Sequence, residues 1–258
     1  MARTVSLITD FGYRDFYAGA LKGAILKACG DVHLVDVSHD IAQGNFSEAA
    51  FALRSAYHHF PKGTIHIVSI NDEADEASRF LAIQHNDHFF LGADTGLFSL
   101  AFDMEPELTF EPNLAQEQRA GKIGLTELYA KLCAFINSGK PLREIGRPVQ
   151  EIRRITALRP QVQPSSIKGA VLYIDSFKNV VTNVTREMFE QRRNGRTFII
   201  QFRRERIQEI SRFYYEVPFG EKLCIFNTAG YLEIAINGGQ AASLLGLTYG
   251  DQILIEFI

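Results

Sequence analysis

The feature that most limits what this chain can fold into is a change of rhythm. Up to about residue 153, short apolar runs alternate with segments whose apolar residues recur at helical spacing. TVSLIT (4–9) and VHLVDV (32–37) read as strands, each followed by a helix. The first helix, FYAGALKGAILKACG, carries Ala18, Leu21, Ile25 and Ala28 on one stripe and stops at Gly30. The second opens on Asn45 and Glu48, the spacing of a capping box, and sets Ala50, Leu53, Tyr57 and Phe60 on one face. TIHIVSI, FLAIQH and HFFLG add strands, a short helix starts near Gly96, and LTELYAKLCAFI makes a longer one ending near Gly139. Strands divided by helices predict an α/β domain over residues 1–153, with a mostly parallel sheet and helices on both faces. Ligands of such sheets sit beyond the carboxyl ends of the strands, where Asp10, Ser38 and Asn71 fall.

Residues 154–167 are rich in proline, arginine and polar groups without an apolar period, and read as a linker. From 168 to 258 the pattern becomes short strands: AVLYID, RTFIIQF, KLCIFN, YLEIA and QILIEF, with turn residues between them and brief helical pieces. That predicts a smaller, antiparallel β-barrel domain.

With 258 residues, 46% of them hydrophobic, the chain can bury a full-sized core. A net charge of -3 with scattered basic residues leaves no footprint for nucleic acid or an anionic membrane, so neither is expected as a partner. Cys29, Cys133 and Cys224 lie far apart in apolar segments, which predicts reduced core thiols and a cytoplasmic protein rather than a disulfide frame or zinc site. The apolar run before Asp10 is too short for a signal segment or a membrane span. No GxGxxG follows the first strand, and GxxxxGK[ST] and GxSxG are missing too, so the usual dinucleotide, nucleotide and serine-nucleophile signatures give no account of this chain. All seven histidines lie at or before His88; His85 and His88 flank an Asn86-Asp87 turn and read as solvated hairpin residues rather than metal ligands. Asp10 and Asp15, both in LITDFGYRDFYAG (7–19), are the acids that close the first strand. A turn or capping role competes with a binding role for each, most strongly for Asp15, which precedes a helix.

Several stretches, in order and nearly without gaps, carry one resemblance: LITDFGYRDFYAGALKG, VDVSH, GTIHIVSI, LGADTGL, EIGRP, YIDSFKNVVTN and NTAGYLEIAINGG. Together they resemble the S-adenosylmethionine hydroxide adenosyltransferase family, relatives of the S-adenosylmethionine-dependent chlorinase and fluorinase. The resemblance implies an α/β domain, a β-barrel, and a homotrimer that binds S-adenosylmethionine between one subunit's first domain and its neighbour's second. It implies displacement of methionine from the ribose C5′, by water or hydroxide in the adenosine-forming members. S-adenosylmethionine is then substrate or ligand, with no further cofactor and no metal.

On this resemblance Asp10 is the ribose acid, since a carboxylate can accept two adjacent hydroxyls in a fork. Asp15 joins it as a candidate binding residue. Asp175 resembles the acid that pairs with the methionine ammonium, and Asn179 the amide that reads adenine, with Phe177 beside the ligand. Thr228 stands where the family has a serine at the methionine end, and Gly238 where the backbone meets the adenine edge. Tyr214, from the run Phe213-Tyr214-Tyr215, is the candidate ring over the base; core or rim positions on a barrel strand are the alternative for all three.

The departures fall on the water-handling groups. Water-using members have an aspartate with an arginine seven residues later, in VVDPGVGxxRR, and a distant histidine in HGRD. Held in register, this chain has Asn71, Ser78 and Gly124 at those places. Asp72 and Arg79 repeat the acid-to-arginine spacing one residue on, which makes Asn71, Asp72 and Arg79 the candidates for catalysis. The acidic run Asp72, Glu73, Asp75 and Glu76 reads as a solvated loop before a cation site. Three functions follow: a hydrolase with rebuilt water handling, a noncatalytic S-adenosylmethionine or adenosine binder, and, least of all, a halide user, because Leu125 and Ala74 offer no hydroxyl.

Overall fold

The computed structural model describes residues 2–72, 79–102 and 104–258, which fall into two compact units, Met1–Thr156 and Ala157–Ile258. The first unit runs β1 (Arg3–Thr9), α1 (Tyr17–Cys29), β2 (Val32–Ser38), α2 (Phe46–Ala56), β3 (Ile65–Ser69), β4 (Phe80–His85), β5 (His88–Ala93) and α3 (Leu97–Ala101). It continues with β6 (Leu108–Pro112), α4 (Leu114–Arg119), α5 (Leu125–Asn137) and β7 (Gly146–Pro148). The sheet order is β2-β1-β3-β5-β4-β6-β7. Its first four strands are parallel, as the strand and helix alternation predicts, and from β5 onward the pairing turns antiparallel. The reversal has a local cause: Asn86 and Asp87 alone join β4 to β5, at φ 50° and 63°, the left-handed pair of a tight hairpin.

Helices cover both faces. Leu21 and Ile25 of α1 pack with Leu128, Leu132, Cys133 and Ile136 of α5 on Val5 and Leu7 of β1, while α2 and α3 pack with Ile8 on the other face. Ala28, expected on the buried stripe of α1, is exposed, and Cys29 takes the place next to the core. At the start of α2 the Asn45 side chain accepts from the Glu48 N–H at 3.1 Å, and Glu48 returns a bond to the Asn45 side-chain amide.

The expected solvation of His85 and His88 is overturned: they are only 6% and 5% exposed. The hairpin folds inward because an aromatic cluster of Tyr57, His66 and Phe90 receives His88, while Phe102 packs against His85. Within it the Ser6 hydroxyl meets His66 Nδ1 at 2.6 Å, and His66 Nε2 meets His88 Nδ1 at 3.1 Å. Burial pushes His66 down to about 3, and burial together with His58 lowers His88. In the unfolded chain a histidine titrates near 6.5. The unfolded state therefore takes the proton first, so this contribution to stability is complete above about pH 6.5 and is lost as pH falls toward 3. At about 1.4 kcal/mol per pH unit, His66 accounts for roughly 2 kcal/mol between pH 7 and pH 5. Denaturant unfolding should show wild type losing that much more than His66→Gln over this interval; equal losses would show that His66 titrates like an exposed histidine.

The second unit comprises β8 (Gln161–Gln163), β9 (Ser166–Ile174), β10 (Val180–Thr185), α6 (Arg186–Arg193), β11 (Phe198–Phe202), β12 (Glu205–Ile207), β13 (Lys222–Phe226), β14 (Tyr231–Ile236), α7 (Ala241–Leu245) and β15 (Gln252–Phe257). Its antiparallel path is β12-β11-β15-β9-β10-β14-β13, with β8 paired to β9. The end strands β12 and β13 approach each other through Glu205 and Lys222, 2.8 Å apart, so the sheet is nearly closed into a barrel. Phe189 of α6 plugs it, edge-on to Phe198, Phe226 and Phe257. The stretch read as a linker is partly strand. Gln161–Gln163 pairs with β9 across a short turn, a polar and wholly exposed edge strand with no apolar period to reveal it.

Cys133 and Cys224 are buried and Cys29 partly so, all three as free thiols. Among the described residues no helix is long and apolar enough to cross a membrane.

Candidate functional site

In the first unit the site forms at the carboxyl edge of the parallel strands. Thr9, fully buried, meets His39 Nδ1 at 2.7 Å through its hydroxyl, and His39 Nε2 lies 3.1 Å from Asp36. The Gly12 N–H reaches the His39 carbonyl at 2.7 Å, so the chain leaving β1 is tied to the end of β2. Asp10 sits at that exit, half-buried, and its Oδ2 accepts from the Asn71 N–H at 3.1 Å and the Gly44 N–H at 3.4 Å. Both donors lie in left-handed turns, at φ 48° and 68°. Asp10 and Asn71 are thus brought together through a main-chain bond.

Beside Asn71, the solvated reading of Asp72 is overturned, because a buried tyrosine and serine receive it. Asp72 is buried, and its Oδ2 accepts hydroxyls from Ser69 and Tyr129, each at 2.6 Å. Burial raises this carboxyl to about 6, with the Asp10 charge adding to the rise and the two hydroxyls opposing it. The signal in the sequence was slight: Ser69 in TIHIVSI and Tyr129 in LTELYAKLCAFI, hydroxyls among other polar residues in largely apolar runs.

Asp72 and Arg79 are not brought together. Arg79 donates through Nε to Asp94 at 2.7 Å and also bonds the Glu151 carbonyl. Asp94 is itself buried, and a paired acid is what such an arginine seeks. Glu73, Ala74, Asp75, Glu76 and Ser78 lie outside the described residues. Gly124 is the N-cap residue of α5, exposed, directly before Leu125. Asp15 is exposed as well, and the expected capping role fails: α1 begins after Phe16 with no side-chain cap.

In the second unit the loop between β9 and β10 is fastened by Asp175, whose Oδ1 accepts the Asn179 N–H at 2.7 Å and whose Oδ2 accepts the Asn179 side-chain amide at 3.2 Å. Lys178 turns left-handed at φ 67°, Asn179 is buried, and Phe177 stands 76% exposed. Tyr214 lies in a 3₁₀ turn, Tyr214–Glu216, and not on a barrel strand; Phe213 and Tyr215 stack on each other at 5.1 Å. The Tyr214 hydroxyl donates to Glu233 at 2.7 Å, and the Asn227 side-chain amide reaches the same carboxylate at 3.3 Å. Glu233 is only 3% exposed; burial raises its carboxyl, and Asp175 adds to the rise. Sequence reasoning took YLEIA as plain strand and passed over this acid. Thr228 is exposed on the turn between β13 and β14. Gly238 has φ 70°, and a Cβ there would fall 2.1 Å from the Phe219 ring, so only glycine fits. Among the described residues no group of three or more His, Cys, Asp or Glu side chains could hold a metal ion.

An acid at the exit of a parallel strand, anchored by main-chain N–H groups, places the chain among α/β proteins, a class whose ligands sit at the carboxyl edge of the sheet. The chain belongs to the SAM hydroxide adenosyltransferase family: the model of that family's N-terminal domain matches residues 5–146 and that of its C-terminal domain residues 169–254. It is 26% identical to a (R)-S-adenosyl-L-methionine hydrolase of Salinispora arenicola, covering 97% of each chain. It is 27% identical to the protein of that name from Methanocaldococcus jannaschii, covering 98% of this chain and 95% of the relative. In fold it is similar to the crystal structure of an uncharacterized conserved protein from Thermotoga maritima, with a TM-score of 0.86 at 22% identity, over 97% of this chain and 99% of the other.

Proposed function

We propose that this protein cleaves S-adenosylmethionine with water at the ribose C5′, giving adenosine and L-methionine. The observation that carries the reading is the match of both units to one family, at nearly the full length of relatives named for this hydrolysis. In the reaction the water oxygen bonds to C5′, the C5′–S bond breaks with its electron pair going to sulfur, and a proton from the water passes to the surrounding solvent. A sulfonium needs no acid to leave. Asn71 cannot take the proton at neutral pH, so the rate rests on holding water and C5′ in line.

In this reading Asp10 accepts the ribose hydroxyls. Its Oδ2 is already fixed by two N–H groups, which supports a preset direction for the other oxygen. Asp15 lies on the same exit from β1 as an outer contact. Asp175 pairs with the methionine ammonium, Asn179 reads adenine with Phe177 and Tyr214 at its faces, Thr228 bonds the methionine end, and Gly238 offers its backbone to the adenine edge. The assembly is a homotrimer, supported by the aromatic side chains each unit exposes: Tyr13, Phe16 and Tyr17 in the first, Phe177, Tyr215 and Phe219 in the second. Sedimentation as a monomer that still binds adenosine tightly would sink that assembly.

One observation favours a second reading, a binder without turnover: Arg79, the arginine seven residues after Asp72, is committed to Asp94. Incubation decides between them. Adenosine and methionine should appear slowly, but faster than from S-adenosylmethionine in buffer alone. Intact ligand recovered on the protein, with no products above that background, would leave only the binder.

A further inference from the structure

We infer that Tyr129 and Asp72 are positioning residues for Asp10, holding the turn whose N–H fixes that carboxylate; the inference rests on Asp10 being the ribose acceptor. The path is short. Ser69 ends β3 opposite Thr9 of β1, so the turn that follows β3 begins level with the exit of β1. Ile70 plunges into the core on the α2 side, and Asn71 turns left-handed at φ 48°. That turn swings Asp72 back to the α5 side, where the hydroxyls of Ser69 and Tyr129 meet its Oδ2. Asn71 is thereby pinned on both sides with its N–H aimed at Asp10. The left-handed region is open to asparagine, and its neighbours decide whether it is held there. Tyr129 is rigid enough to dictate: it is fully buried, and its ring meets Phe80 edge-on with centroids 5.5 Å apart.

The alternative is that Asp72 only satisfies a buried tyrosine. Tyr129 has another acceptor for that, the Val68 carbonyl at 3.3 Å. Burying a carboxylate costs free energy, more so beside a second acid, and an apolar side chain at 72 would avoid that cost. The arrangement makes sense if it orients something, and Asn71 with Asp10 is what it touches next.

The test compares adenosine with 2′,3′-dideoxyadenosine, which lacks both ribose hydroxyls, by calorimetry on the full chain. Wild type should prefer adenosine roughly thirtyfold, as charge-assisted hydrogen bonds allow. Tyr129→Phe, which keeps the packing and deletes one donor, should shrink the preference to roughly threefold and leave dideoxyadenosine affinity unchanged. A folded Tyr129→Phe protein that keeps the full preference, or that loses both ligands equally, would overturn the inference. If that variant fails to fold, Ser69→Ala removes the other donor and carries the same expectation. No preference in wild type would instead overturn the ribose reading of Asp10, and this inference with it.

Discussion

Changing Asn71 to Asp, Ser78 to Arg and Gly124 to His together should raise adenosine release by roughly a hundredfold to ten-thousandfold, the usual worth of a positioned general base. The first change returns a proton acceptor to the turn facing Asp10; the other two restore the partners that water-using members give it. The backbone tolerates the two described positions. Aspartate accepts the left-handed conformation that Asn71 holds at φ 48°. A Cβ at Gly124 meets nothing within 4 Å, and its backbone is extended at φ -82° and ψ 166°. Groups that act as a unit lose most of their effect when one is missing, so each single change should do little. A triple variant that binds S-adenosylmethionine and yet gains no rate would show that the pocket no longer presents water to C5′, and the binder reading would take over. A fast native reaction abolished by Asp72→Asn would instead make Asp72 the base, despite its separation from Arg79.

Asp10→Ala should weaken adenosine binding by about 2 kcal/mol, the loss expected when hydrogen bonds to a charged acceptor disappear. The fold should hardly notice. Asp10 is half-buried, and of the two N–H groups left without it, that of the exposed Asn71 is open to water. Unchanged affinity in calorimetry would remove Asp10 from the site.

Strands β1 to β5 were legible because each is an apolar run cut off by a turn residue, whereas β6 and β7, short and ending on proline, were not; the capping pair at Asn45 and Glu48 marked its helix correctly. What escaped did so for stated reasons. Val180–Thr185 reads VVTNVT without strict alternation, and the burial of Thr182 and Asn183 cannot be read from polarity. His85 and His88 looked like turn residues because the rings that bury them lie elsewhere in the sequence: Phe102, after α3, packs on His85, and Tyr57 and His66, before the hairpin, pack on His88. At the site, the residue types at Asp10, Asp175 and Asn179 could be placed from their motifs, but their partners could not. Tyr129 stands 57 positions from Asp72, and Tyr214 stands 19 from Glu233. A fold alone makes such pairs neighbours. The same applies to Arg79, whose sequence spacing suggested Asp72 and whose side chain found Asp94.

The direction of β4 carries one more consequence. Because β4 runs against β5, with Phe80 opposite Ala93, it starts at the same sheet edge where β3 finishes. Asn71 and Asp72, just after β3, and Arg79, just before β4, therefore stand at one edge of the sheet, outside the pairing of the strands. Groups that handle water can then be exchanged without re-registering the sheet, except at Asn71 and Asp72, which also hold Asp10 in place. Gain and loss of turnover then become small evolutionary steps on a constant scaffold.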